Sequence, residues 1–205
     1  MNKFGLNIWA NDKFAIDNAK LIVNHKSKPA LLDIVENIRS TGTYGPILLR
    51  FPHLIQQQIQ SLYVNFNNAI RENKYQGNFH AVFPLKVNQF PNAVEAITQE
   101  GKVHGYGLEA GSKAELILAM AKTPSNAHIT VNGFKDEEMI TLGFIAAQSG
   151  HNITLTIEGL NELETIIDVA QESSLETPNI GIRVRLHSVG SGTWAKSGGM
   201  DAKFG

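Results

Sequence analysis

Apolar residues along this chain alternate between two patterns. Short apolar runs are each followed by a longer stretch with apolar residues every third or fourth position. Residues 54–71 place Ile55, Ile59, Leu62, Phe66 and Ile70 on one face, which is helical spacing. Residues 162–172 do the same with Leu163, Ile166, Ile167 and Ala170. Further helices are predicted over 91–99, 112–122 and 136–148. Strands are predicted over 47–51, 79–85, 103–108, 128–132, 152–157 and 180–186. The strand at 103–108 is the weaker one, because Gly105 and Gly107 interrupt it.

Residues 4–25 read differently. Aromatic residues and short alternations such as Phe14-Ala15-Ile16 and Leu21-Ile22-Val23 predict one or two short strands, with Asn11-Asp12 supplying turn chemistry. Pro29 then opens a helix carrying Leu31, Ile34, Val35 and Ile38, which Gly42 ends. The expected division is therefore residues 1–28 as N-terminal strands and 29–205 as the main body.

The strand-plus-helix unit recurs every 25–30 residues or so, the length of a βαβ step. Strict alternation predicts an α/β protein with a parallel sheet covered by helices, and strands apolar on both faces suit such burial. Six units are counted, the last without its helix. A doubly wound sheet and a (β/α)8 TIM barrel both fit. Six units with an abrupt stop at Lys203-Phe204-Gly205 favour an incomplete barrel.

Composition narrows the function. The 205 residues are 42% hydrophobic and 18% charged, enough apolar material for a buried core. With 18 basic and 19 acidic residues the net charge is −1, so no basic excess points to nucleic acid or an anionic membrane. Cysteine is absent, which removes disulfides, thiolate metal sites and a Cys nucleophile. No apolar run reaches the ~18 residues of a membrane span. The N-terminus lacks the apolar stretch of a secretory signal, so a cytoplasmic location is expected.

Chemistry in barrels and open α/β sheets gathers where strands end. The run Phe83-Pro84-Leu85-Lys86-Val87-Asn88-Gln89 puts a lysine in an apolar strand. A desolvated lysine is a nucleophilic amine suited to Schiff-base chemistry; the alternative is a lysine that snorkels to the rim. Glu109 ends the next strand and has no capping role, so it is either a ligand-facing acid or a solvated loop residue. Ser112 and Glu115 form an S-x-x-E capping box. Arg183 and Arg185 stand at i and i+2 of the last strand, on one side of it. They suit either an anionic oxygen or a structural ion pair, and Arg50 has the same two readings. Ser188-Val189-Gly190-Ser191-Gly192 reads as a plain mobile loop rather than a phosphate cradle. The seven histidines show no zinc spacing, and neither a P-loop nor a G-x-S-x-G elbow is present.

These motifs together resemble the biosynthetic arginine decarboxylases, a family of fold-type III pyridoxal phosphate enzymes. The run from Phe83 to Gln89 is similar to their cofactor-lysine motif. Tyr106-Gly107-Leu108-Glu109-Ala110-Gly111-Ser112-Lys113-Ala114-Glu115-Leu116 is similar to a second signature. Arg50-Phe51-Pro52, Thr130-Val131-Asn132-Gly133-Phe134-Lys135-Asp136, Ile182-Arg183-Val184-Arg185-Leu186, Ser197-Gly198-Gly199 and Lys203-Phe204-Gly205 match the pattern in order.

The resemblance implies a (β/α)8 barrel of the alanine racemase type, with the N-terminal strands packing into a β-domain. It implies Lys86 as the Schiff-base lysine and Glu109 as a cofactor-side acid. Arg185, with Arg183 second, takes the place of an arginine near the cofactor phenolate, and Glu115 that of another nearby acid. It further implies decarboxylation of L-arginine to agmatine for polyamine synthesis, a magnesium requirement and a homo-oligomer at full length. Family enzymes are much longer. The acid for the pyridine nitrogen, the phosphate-binding loops and the β-domain are expected beyond Gly205, and the 205 residues alone are expected to be inactive. Diaminopimelate or ornithine decarboxylase chemistry, or a non-enzymatic binding fragment, are the alternatives.

Overall fold

In a computed structural model, residues 5–184 are described. The chain divides into two compact units, Met1–Leu54 and Ile55–Gly205. The expected boundary after residue 28 falls inside the first of these.

The first unit opens with a single turn, α1 (Leu6–Trp9), followed by the antiparallel strands β1 (Phe14–Asp17) and β2 (Lys20–Val23). Asn11 and Asp12 adopt positive φ at the turn before β1, as their side-chain chemistry suggests. The hairpin itself turns on Asn18 and Ala19, again both at positive φ, a geometry that matches the twist of the flanking strands. Ile22 and Val23 are buried, and Phe14 lies between Trp9 and Phe51, with ring centroids 5.7 and 5.6 Å away. Helix α2 (Leu31–Ser40) follows Pro29. The strand expected over 47–51 is not formed: these residues take no regular secondary structure. The described residues therefore hold five parallel strands where the hydrophobic pattern counted six.

Most of α3 (Pro52–Glu72) belongs to the second unit. After it come β3 (Val82–Pro84), α4 (Pro91–Gly101), β4 (Gly107–Ala110), α5 (Lys113–Lys122), β5 (His128–Val131), α6 (Glu137–Gln148), β6 (Asn152–Ile157), α7 (Leu160–Glu172) and β7 (Asn179–Ile182). All five strands are parallel, in the order β3-β4-β5-β6-β7. That order decides between the two sheet types. A doubly wound sheet reverses direction at a switch point and carries helices on both faces. Here each strand adds beside the one before it, and right-handed crossovers then put every helix on one face. This is the winding of a barrel.

The two faces differ accordingly. Leu108, Ala110, Ile129, Val131, Ile153 and Leu155 point one way and are fully or almost fully buried against Leu116, Ala119, Ile140, Phe144 and Ile166 of the helices. Their alternates, Pro84, Glu109, Thr130 and Thr154, share one register across four strands on the other face. An apolar face against helices and a polar face toward an interior is how a barrel strand is divided.

Candidate functional site

The C-terminal ends of β3 to β7 bring a set of polar side chains to one edge of the sheet. Strand β3 stops at Pro84, which pairs in register with Glu109. Its ring fixes φ at −74°, and the chain passes into a short 3-10 turn, Leu85–Val87. Leu85 is completely buried and pins this turn, while Lys86 beside it is exposed. The lysine thus stands just past the strand, not within it, and the described residues do not desolvate it. No described residue bonds or pairs with its amine.

Two contacts shape the segment after Lys86. Asn88 Oδ1 accepts the Phe90 N–H at 3.0 Å, the local bond typical of a turn asparagine. Gln89 Nε2 donates to Glu115 Oε1 at 2.8 Å. The other oxygen of Glu115 accepts the Gly111 N–H at 2.8 Å, and its own N–H reaches Ser112 Oγ at 3.3 Å. Half of the expected capping box is present, since Ser112 caps α5. The Glu115 carboxylate goes to Gly111 and Gln89 instead of closing the box on Ser112, and so ties the lysine turn to the β4–α5 turn.

Glu109 lies on the polar face because Leu108 and Ala110 face the helices. It is 7% exposed. Asn132, one residue past β5, donates to its Oε1 at 3.1 Å. No described lysine, arginine or histidine forms an ion pair with it. A buried carboxylate supported by one neutral donor is short of partners.

Beyond Asn132 lies a set of charges of which the motif reading singled out Arg183 alone as a site residue. Gly133 adopts a positive φ of 79° and donates its N–H to Glu158 Oε1 at 2.7 Å. Arg183 Nη1 donates to Glu158 Oε2 at 2.9 Å. Behind them, the Lys135 and Glu162 side chains are 0% and 1% exposed and pair at 3.1 Å. Glu162 also accepts the N–H groups of Lys135 at 3.0 Å and Glu158 at 2.9 Å, while Lys135 Nζ donates to the Gly133 carbonyl at 2.6 Å. The burial of both charges is compensated by these bonds.

The neighbouring turn carries an exposed charge cluster. Lys113 pairs with Asp136 at 2.7 Å and with Glu138. Hydrogen bonds to Asp136 and Glu138 push the Lys113 amine above its ordinary value. The Lys113 bond, then the Met139 N–H that Asp136 caps, hold the Asp136 carboxyl below its ordinary range.

Lys86, Glu109 and Arg183 thus lie at the strand ends of one sheet, with Glu115 in the first turn of α5 beside them. Arg185 lies outside the described residues. Arg50 belongs to the first unit. Gln89, Asn132, Glu158 and Glu162 were not picked out as site residues. A usable signal was available for Glu158 and Glu162, which sit at a strand end and in the first turn of α7, where acids favour the helix N-terminus. Among the described residues no group of three or more His, Asp or Glu is arranged to hold a metal, and no helix is long and apolar enough to cross a membrane.

Residues 57–205 match the family model described as the pyridoxal-binding domain of pyridoxal-dependent decarboxylases. The biosynthetic arginine decarboxylase of Rhodopirellula baltica is 39% identical over 207 residues, covering 98% of this chain and 31% of that protein. The one from Trichlorobacter lovleyi is 41% identical over 208 residues, covering 98% and 33%. Among solved structures, the biosynthetic arginine decarboxylase SpeA of Campylobacter jejuni has a TM-score of 0.88 at 60% identity, covering 91% of this chain and 32% of that one. Diaminopimelate decarboxylase from M. jannaschii shares the fold, with a TM-score of 0.60 at 24% identity, covering 86% and 36%. The chain spans about a third of the length of the curated relatives it matches.

Proposed function

The chain belongs to the pyridoxal-dependent decarboxylases, and from that premise we propose that the protein converts L-arginine to agmatine and CO2, supplying polyamine synthesis. One observation carries the reading. An unpartnered lysine at the end of β3 and a buried, under-bonded carboxylate at the end of β4 share one edge of a barrel-type sheet. An amine free to react and an acid short of donors suit a carbonyl cofactor with a cationic ring system, so the residues present fit pyridoxal phosphate. Bound there, the cofactor would supply a carbonyl for the lysine amine and a sink for the electrons released when CO2 leaves.

The chain's own residues do the rest. Lys86 Nζ is the amine that would hold the cofactor, since it is exposed and no described residue pairs with it. Glu109, fixed by Asn132, offers its second oxygen to a proton or cation on the cofactor side. Glu115, through Gln89, holds the turn that carries Lys86. An arginine after β7, Arg185 first and Arg183 second, would be the group that meets the cofactor's phenolate oxygen. The likeness to arginine decarboxylases supports arginine as the small-molecule substrate. As part of the same proposal, the full-length protein is a cytoplasmic homo-oligomer that requires magnesium.

Borohydride reduction of the cofactor-loaded, full-length protein, followed by peptide mass mapping, tests the site; label on a lysine other than Lys86 rejects it. Release of CO2 from arginine, ornithine and diaminopimelate tests the substrate, and release from either of the latter without agmatine from arginine replaces it.

A further inference from the structure

The strand ends hold an ion pair between Arg183, the second of the two arginine candidates, and Glu158, an acid to which the proposed chemistry gives no role. Glu158 directly follows β6, with its side chain 14% exposed. Its two oxygens point in different directions. One accepts the Gly133 N–H of the β5–α6 turn, and the other accepts Arg183 Nη1 from the segment after β7. A single carboxylate therefore clamps the connections on either side of β6. It cannot shift to follow one partner without losing the other. The clamp is rigidly mounted, because the Glu158 N–H is held by the buried Glu162, which Lys135 in turn neutralises.

Strand alternation puts Arg183 on the same face as Glu109. Ile182 pairs in register with Ile157, a helix-facing position, so the residue after it points to the polar side. The Arg183 side chain is still 33% exposed. Ion pairs at such exposure contribute little to fold stability. What the contact does supply is a fixed rotamer. A long side chain that is already held in one conformation does not lose that freedom when a ligand arrives.

We propose that Glu158 is a positioning residue for the cofactor site: it sets the Arg183 guanidinium on the polar face, beside the end of β6, before the cofactor binds. This rests on the pyridoxal phosphate reading above and adds a residue to it. The Lys135–Glu162 pair serves as the mount rather than as a participant.

The test uses the full-length protein stripped of cofactor, in Glu158→Ala, Glu158→Asp, Arg183→Ala and double-variant forms. Equilibrium affinity for pyridoxal phosphate is read from the visible absorbance of the bound cofactor, and the thermal midpoint is read on the stripped protein. Glu158→Ala is expected to weaken affinity about tenfold, as loss of a charged hydrogen bond does. The stripped midpoint is expected to move by less than about 3 °C. Glu158→Asp should recover part of the affinity, and Glu158→Ala should have no further effect in the Arg183→Ala background. Unchanged affinity in Glu158→Ala overturns the proposal. So does an equal loss in the Arg183→Ala background, or a loss matched by a large fall in the stripped midpoint. If the wild-type protein binds no pyridoxal phosphate, the cofactor reading falls and this proposal with it. If the wild type binds and Glu158→Ala binds equally well, only this proposal falls.

Discussion

Gln89 Nε2 donates to Glu115 Oε1 at 2.8 Å, across 26 positions of sequence. The bond joins the turn after β3 to the first turn of α5. The exposed Lys86 sits three residues before Gln89, in a segment otherwise fixed by the buried Leu85 and the Asn88 side chain. Gln89→Ala should therefore weaken cofactor affinity through lost order around Lys86, with little change in overall stability. Gln89→Glu should do more damage, because it places a second carboxylate against Glu115. Absorbance titrations of the cofactor-free variants check both. Equal affinity in Gln89→Glu and wild type would show that this bond does not order the lysine turn.

The Lys135–Glu162 pair predicts the opposite balance, a large effect on stability. Both side chains are fully buried, and removing one partner of such a pair strands the other charge. Lys135→Met and Glu162→Gln should each cost about 3–5 kcal/mol. The double variant should cost less than the sum of the two. Its neutral glutamine can still accept a backbone N–H, and no charge remains buried. Unfolding midpoints of the three variants in one series provide the test, and simple additivity would count against this account.

Much of this fold can be read from hydrophobic period alone. The helices of the second unit and strand β6 fall where the pattern puts them, because each buries one strongly apolar stripe. The strand expected at 47–51 fails for a visible reason. Leu48 is 71% exposed, so this apolar run is not buried as a parallel strand would be, and residues 45–51 remain irregular. The site divides in a similar way. Lys86, Glu109 and Arg183 are legible because charged residues inside apolar runs stand out. Gln89, Asn132 and Glu158 are not, because they sit in polar loops whose composition looks ordinary. Their importance comes from partners 23 to 26 positions away, a separation that no local pattern encodes.

Gly107 shows how close the strands come at the start of β4. A Cβ on this residue would lie 1.8 Å from the His128 carbonyl oxygen of β5. That is backbone, which cannot rotate out of the way. Gly107→Ala must therefore push β4 and β5 apart, and should cost at least the ~1–3 kcal/mol typical of overpacking. Gly150→Ala serves as a contrast, since nothing lies within 4 Å of its Cβ position. Its positive φ still imposes a strain of about 1–2 kcal/mol. A milder midpoint shift for Gly107→Ala than for Gly150→Ala would contradict the steric argument.

His128, the first residue of β5, gives the fold a pH dependence of definite sign. Burial pushes its imidazole below the ordinary value, and the nearby His80 adds to this, while a bond to the Asn152 side chain works against it. Asn152 is its register partner on β6. The folded state therefore disfavours the proton more than the unfolded chain does. Stability from this group is fully present above the unfolded pKa of about 6.5. It is lost as pH falls from there toward the lowered folded pKa, where the unfolded chain binds more protons. His53 is shifted in the same direction, chiefly by burial, and contributes its own loss. The comparison must therefore be between wild type and His128→Gln. Denaturant midpoints taken from about pH 7.5 down to about pH 5.5 should fall more steeply for the wild type. High salt should flatten the part due to His80 and leave the part due to burial. Parallel slopes in the two proteins would remove His128 as the source.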